Sequence, residues 1–295
     1  MQLLIVGSNG QLGQDLMAQA RERGWTPIGA DMPDCDITDP NSLQKVLASA
    51  GPVAAIINAA AYTAVDRAES EAKIAYAVNR DGAEILALAC RDHQIPFIHV
   101  STDYVFEGLQ TRPYLPTDPI NPQGVYGRSK AEGENRIRSC YDRHVIVRTS
   151  WLFGRHGDNF VKTMIRLGTE RDTLKVVDDQ VGCPTYAGDL AGALLDVAAY
   201  VTREKDGWGT YHYCNQIAVT WYAFARRILA LARPYEKLRI HEILPILASQ
   251  YPVAAPRPHY SVLDCSSFEA RFGVERRTWE IALREMLAEM YATQP

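Results

Sequence analysis

The chain has 295 residues, 47% hydrophobic and 22% charged, with a formal net charge of −4. That length suits one large domain or two lobes, and the charge gives no electrostatic reason to expect nucleic acid or an anionic membrane as partner. The start, MQLLIVGSNGQLG, lacks a basic region and reads as a first strand rather than a signal peptide, and no stretch approaches the roughly 18 apolar residues of a membrane span.

In the first half, strand-like runs alternate with amphipathic segments. The runs are LLIVG (3–7), TPIGA (26–30), VAAIINAA (53–60), PFIHVS (96–101) and HVIVRTS (144–150); between them 12–22, 40–49, 70–92 and 128–141 have helical patterning. Near-continuous apolar strands, each followed by a helix, predict a Rossmann-type α/β fold with a doubly wound parallel sheet. Residues 1–150 are therefore read as a dinucleotide-binding domain. Residues 151–295 are read mainly as a smaller substrate lobe, with 187–215 free to return to the main sheet. Helical patterns recur at 158–168, 187–201, 219–233 and 278–292, and 233–265 is rich in proline. The cysteines (35, 90, 140, 183, 214 and 265) are scattered without a CxxC pair, which points to reduced thiols and a cytoplasmic setting. The seven histidines lack HxxxH spacing, so no protein-built zinc site is expected.

Behind the first strand comes GSNGQLG, a GxxGxxG pattern on Gly7, Gly10 and Gly13. A tight turn that must approach a pyrophosphate needs residues without side chains, and the helix that follows offers free N–H groups. The position, directly after the first strand and opening a helix, marks a nucleotide site more strongly than the glycines alone. Asp31 ends the second strand, where an acid can bond a ribose 2′-hydroxyl and repel a 2′-phosphate. The other acids of DMPDCDITD have the ordinary reading of turn or cap residues, Asp39 before Pro40 being the clearest cap.

INAAAY (57–62) ends the third strand with residues small enough for a flat ligand to lie close. HVSTDYVFEG (99–108) places Ser101 and Thr102 at the next strand end. In VYGRSK, Tyr126 and Lys130 share a helix face at i and i+4, a spacing that by itself describes any two helical neighbours. Beside Thr102 the pair acquires a chemical reading. A tyrosine at pKa about 10 is a sluggish proton donor at neutral pH, and a nearby ammonium is expected to lower it. Thr102 or Ser101 would be the second donor to a carbonyl oxygen, and the hydride would come from the cofactor.

This combination of GxxGxxG, a hydroxyl at a strand end and YxxxK resembles the extended short-chain dehydrogenase/reductase superfamily. SNGQLG, NAAAYTAVDRAE, VSTDYVFEG, YLPTDPINPQGVYGRSKAEGE, RTSWLFG, QVGCPT and RPHYSVLD resemble, along nearly the whole chain, the dTDP-4-dehydrorhamnose reductase family. The resemblance implies reduction of a nucleotide-linked 4-keto-6-deoxy sugar with NADPH or NADH, in dTDP-L-rhamnose synthesis. It implies Thr102, Tyr126 and Lys130 as catalytic residues. Gly7, Asn9, Gly10, Gln11, Leu12, Gly13, Asp31, Asp36, Ile37, Ala59, Ala60, Ala61 and Tyr62 fall on the cofactor path. Thr63, Val65, Asp103, Tyr104, Phe106 and Trp151 fall on the sugar side, although Phe106 and Trp151 also suit a core. Arg257 is a candidate for the nucleotide pyrophosphate. Asp66 and Glu69 read as helix-start residues.

Dehydratases of the superfamily carry Asp-Glu after the threonine. Here Asp103 and Tyr104 follow Thr102, so the second acid of an elimination is missing. Two other readings stay open: a non-catalytic subunit similar to the regulatory subunit of methionine adenosyltransferase, and a nucleotide-sugar epimerase. Neither NADH against NADPH nor monomer against homodimer follows from the sequence, and acids for the magnesium ion known in some relatives are not identifiable.

Overall fold

The computed structural model describes residues 1–292. In chain order the elements are β1 (Gln2–Val6), α1 (Gln11–Glu22), β2 (Thr26–Ala30), α2 (Pro40–Ala50), β3 (Ala55–Asn58), α3 (Val65–Ala68), α4 (Ala72–Tyr76), a π-helical turn (Ala77–Gly82) and α5 (Ala83–Asp92). There follow β4 (Phe97–Thr102), a 3-10 turn (Asp103–Val105), α6 (Val125–Cys140), β5 (His144–Thr149), β6 (Leu152–Phe153), α7 (Phe160–Glu170), β7 (Thr173–Val177), β8 (Val181–Gly182) and β9 (Thr185–Tyr186). The chain continues through α8 (Ala187–Glu204), β10 (Gly209–His212), β11 (Val219–Thr220), α9 (Trp221–Ala232), β12 (Glu242–Ile246), α10 (Ser266–Phe272) and α11 (Trp279–Ala292).

Among the described residues the main sheet has six strands in the order β10-β5-β4-β3-β1-β2, and the pairings are parallel. The doubly wound α/β fold expected from the alternating pattern is therefore present. The period of two along β1 explains the layering: Leu3 and Ile5 face α1 and α8, while Leu4 and Val6 face α2, α5 and α6. Burying each such aliphatic chain is worth about 1.5–3 kcal/mol, which is why these strands read as apolar runs. A separate apolar cluster joins α7, α9, α11 and β7 through Val161, Phe224, Leu283 and Leu174.

From β1 the chain moves to β2 on one side and to β3 on the other, so the strand order reverses there. Ligands in such sheets bind outside the strand carboxyl ends at this reversal. Two local departures from the expected elements shape that edge. The run 53–60 stays in the sheet only to Asn58, and Ala59, Ala60 and Ala61 leave it as open wall. The single helix expected over 70–92 is broken by the π turn at Ala77–Gly82, a feature often found at functional sites.

Candidate active site

A cleft of about 830 Å³ runs along the strand carboxyl ends, from the glycine turn after β1 to the start of α6. Gly7 has φ +79°, and a Cβ there would lie 2.5 Å from the Ala60 nitrogen, so only glycine lets β1 and the alanine wall approach. Gly10 caps α1 without a side chain, leaving the first helical N–H groups directed outward. Asp31 ties the two sides of this end together: its carboxylate accepts from Asn9 N and Met32 N, both at 2.8 Å.

At the other end, β4 delivers Thr102 and α6 delivers Tyr126 and Lys130. Helix α6 sits close because Gly127 has no side chain; a Cβ there would meet the Tyr104 carbonyl oxygen at 2.2 Å. Burial dominates at Tyr126 and pushes its phenol up to about 12, with Thr102 acting the other way. The expectation that Lys130 would acidify Tyr126 is thus corrected. Lys130 Nζ turns into the sheet instead, donating to the Val100 carbonyl at 2.7 Å and lying 3.1 Å from His99 Nε2. Burial brings Lys130 down to about 8, with Glu134 acting the other way. Tyr126 consequently keeps its proton throughout the neutral range, which is the form a proton donor needs.

Asp103 is buried, and burial raises its carboxyl to about 6, with Ser261 and Thr102 acting the other way. Thr102 Oγ1 donates to Asp103 Oδ1 at 3.0 Å and accepts from Tyr104 N at 3.1 Å. Tyr104 packs edge-on to Tyr126, with ring centres 5.5 Å apart.

Most residues singled out from the sequence meet in this cleft. Gly7, Asn9, Gly10, Gln11, Leu12, Asp31, Asp36, Ile37, Ala59, Ala60, Ala61, Thr63, Val65, Thr102, Asp103, Tyr104, Tyr126, Lys130 and Trp151 line it. Four do not. Gly13 lies beneath the turn, against the Gly7 carbonyl. Tyr62 points its hydroxyl away to Glu71. Phe106 is core: it stacks on Tyr114 at 4.2 Å and carries the Arg148 guanidinium 5.0 Å above its ring. Arg257 is taken up by Asp66, with bonds of 2.7 and 3.0 Å, and this ion pair also explains Asp66. Glu69 accepts from Val125 N at 2.7 Å and so fixes the start of α6.

Several supporting residues carry no sequence signal. Asn79, exposed to its partners by the π turn, accepts from Tyr62 N at 2.9 Å and donates to Ser129 Oγ at 3.0 Å, joining the alanine wall to α6. Glu134 accepts from Ser101, Arg138 and Arg148, anchoring α6 to β4 and β5. Trp151 takes φ +48° and stacks on Trp221 with ring centres 3.4 Å apart, forming the far wall of the cleft. Among the described residues no group of three or more His, Cys, Asp and Glu is placed to hold a metal ion, and no helix is long and apolar enough to cross a membrane.

Glycine turn, alanine wall and hydroxyl–tyrosine–lysine cluster at the strand reversal define a Rossmann-type protein of the extended short-chain dehydrogenase/reductase class. Within that class the chain belongs to the family described as RmlD substrate binding domain, whose model matches residues 1–292. It is 42% identical to the dTDP-4-dehydrorhamnose reductase of Aggregatibacter actinomycetemcomitans, over 97% of this chain and 98% of that one. A dTDP-4-dehydrorhamnose reductase structure from Clostridium acetobutylicum superposes with TM-score 0.90 at 39% identity, covering 98% of this chain and 99% of the other. The Bacillus anthracis enzyme of the same name, solved in complex with NADP, gives TM-score 0.90 at 35% identity with coverage of 98% and 99%.

Proposed function

We propose that this chain is an NADPH- or NADH-dependent oxidoreductase that reduces the 4-keto group of dTDP-4-dehydro-L-rhamnose to give dTDP-L-rhamnose. Family membership over residues 1–292 supports the reaction, and the Bacillus anthracis complex supports NADP as cofactor. One observation carries the reading at the level of chemistry: Thr102, Tyr126 and Lys130 share a single cleft with the Gly7–Gly10 turn.

The cradle suits a dinucleotide. Gly7 and Gly10 leave room for a pyrophosphate at the α1 N-terminus, and the flat strip Ala59–Ala61 accepts a planar ring system. When bound, the nicotinamide supplies hydride to the carbonyl carbon. Tyr126 donates its phenolic proton to the carbonyl oxygen, so the ketone becomes a secondary alcohol. Thr102 polarises that oxygen, while Lys130, whose Nζ points away from the phenol, is assigned to the cofactor ribose. Thr63, Val65, Asp103, Tyr104 and Trp151 are assigned to the sugar side; Phe106 and Arg257 are left out because both are engaged elsewhere. Tyr104 in place of a second acid after Asp103 leaves no adjacent carboxylate for elimination, which favours reduction over dehydration.

The six cysteines are unpaired and five of them buried, which fits a reducing cytoplasmic setting. Incubating purified protein with NADPH and dTDP-4-dehydro-L-rhamnose, and identifying the product by mass and NMR, tests the reading. A protein that binds NADPH yet leaves the 4-keto sugar unreduced would overturn it.

A further inference from the structure

Behind the cleft a chain of buried polar groups leads to Lys130, and the proposed reaction leaves its inner members, Asn58 and His99, unused. It begins at Ala60 in the cofactor wall, whose N–H donates to Asn58 Oδ1 at 3.0 Å. The Asn58 amide nitrogen lies 3.0 Å from His99 Nδ1, and His99 Nε2 lies 3.1 Å from Lys130 Nζ. Asn58, His99 and Lys130 are each 1% exposed, so water cannot repair a mismatched pair.

Only one assignment of protons satisfies every member. Because Ala60 N–H needs Oδ1, the Asn58 amide must present N–H to His99, and Nδ1 must accept. A neutral imidazole then carries its proton on Nε2, facing Lys130. An ammonium cannot accept that proton; a free amine can, while still donating to the Val100 carbonyl. Turning the Asn58 amide over would set its NH2 against Ala60 N–H. From this geometry we propose that His99, oriented by Asn58, is a positioning residue that favours the amine form of Lys130 in the ligand-free protein and so lowers its proton affinity. The inference rests on the reading of Lys130 as the lysine of the reductase site.

The surrounding groups agree. Burial, then the nearby Lys130, drives His99 well below the usual histidine range, so it is neutral. Glu134, one turn along α6, favours the Lys130 ammonium, but it is shared with Arg148 from β5 and Arg138. His144 on β5, itself lowered by burial, adds no charge at neutral pH. Tyr126, Tyr104 and Asp103 lie at the same corner; Tyr126 is a neutral phenol there.

The test uses nitrogen NMR of the ligand-free protein with labelled histidine, His99 being assigned by its loss in His99→Gln. Above about pH 8, where the amine prevails, Nδ1 should resonate as a bare nitrogen and Nε2 as a protonated one. The opposite tautomer, or a protonated ring, would overturn the proposal without touching the assigned reaction. In Asn58→Asp the new carboxylate takes the ring proton onto Nδ1 and frees Nε2 to accept from an ammonium. The alkaline limb of the kcat/KM profile, which reports the free enzyme, should then move up by about one pH unit or more. A switched tautomer with an unmoved limb refutes the link to Lys130. A wild-type protein without turnover refutes the assigned reaction, while the tautomer still decides this proposal.

Discussion

Glu134→Gln probes how the catalytic helix is held. The carboxylate is fully buried, and it accepts from Arg148 Nε at 2.8 Å and Nη2 at 2.7 Å, from Arg138 at 2.6 Å and from Ser101 at 2.6 Å. Burial alone would raise its pKa, yet the bonds and charges of Arg148, then Arg138 and Ser101, hold it at about 2 against an ordinary 4.5. That depression corresponds to about 3 kcal/mol of stability in the charged form. Glutamine keeps the shape and one acceptor but strands the Arg148 guanidinium, which is 2% exposed, and breaking a buried pair from one side costs about 3–5 kcal/mol. The sign follows from the lowered pKa: the contribution is complete above about pH 4.5 and disappears as pH falls toward 2. Urea unfolding followed by circular dichroism should show Glu134→Gln less stable by about 3 kcal/mol at neutral pH, and the gap should close in acid. A variant within about 0.5 kcal/mol of wild type at neutral pH would refute the reasoning, because an orphaned buried guanidinium cannot be that cheap.

Other substitutions test the site piece by piece. Tyr126→Phe should lower turnover by about a hundredfold or more with NADPH affinity nearly unchanged, measured by single-turnover kinetics and fluorescence titration. Lys130→Met should weaken both, and unchanged affinity would remove Lys130 from the cofactor ribose. Gly7→Ala adds a Cβ 2.5 Å from Ala60 N at φ +79°, so NADPH affinity should fall at least tenfold, about 1.4 kcal/mol, with a drop in melting temperature. Asp31→Ser removes the carboxylate from the β2 end and should raise the NADPH-to-NADH ratio of kcat/KM by on the order of tenfold; an unchanged ratio would place the 2′-phosphate elsewhere.

The local chemistry of the site was readable in the sequence wherever one residue type has few uses. Glycines after a first strand, alanines at a strand end and YxxxK each constrain the backbone or the reaction strongly, and they do meet in one cleft. Where a side chain has two common uses, sequence could not choose. Phe106 went to the core because Tyr114 and Arg148 surround it, and Arg257 went to Asp66, nearly two hundred residues away in the chain. The influence of Lys130 on the Tyr126 phenol was misread for a related reason: i, i+4 spacing gives adjacency, not direction, and Lys130 points to Val100 and His99. Asn79 and Glu134 act through long-range bonds that no local pattern announces.

The most direct test of the assigned reaction is steady-state NADPH oxidation with dTDP-4-dehydro-L-rhamnose, run on wild type and Tyr126→Phe side by side. Stoichiometric formation of dTDP-L-rhamnose by the wild type and its near-complete loss in Tyr126→Phe are expected. Equal rates in the two proteins, or NADPH bound without any turnover in the wild type, would contradict the assignment.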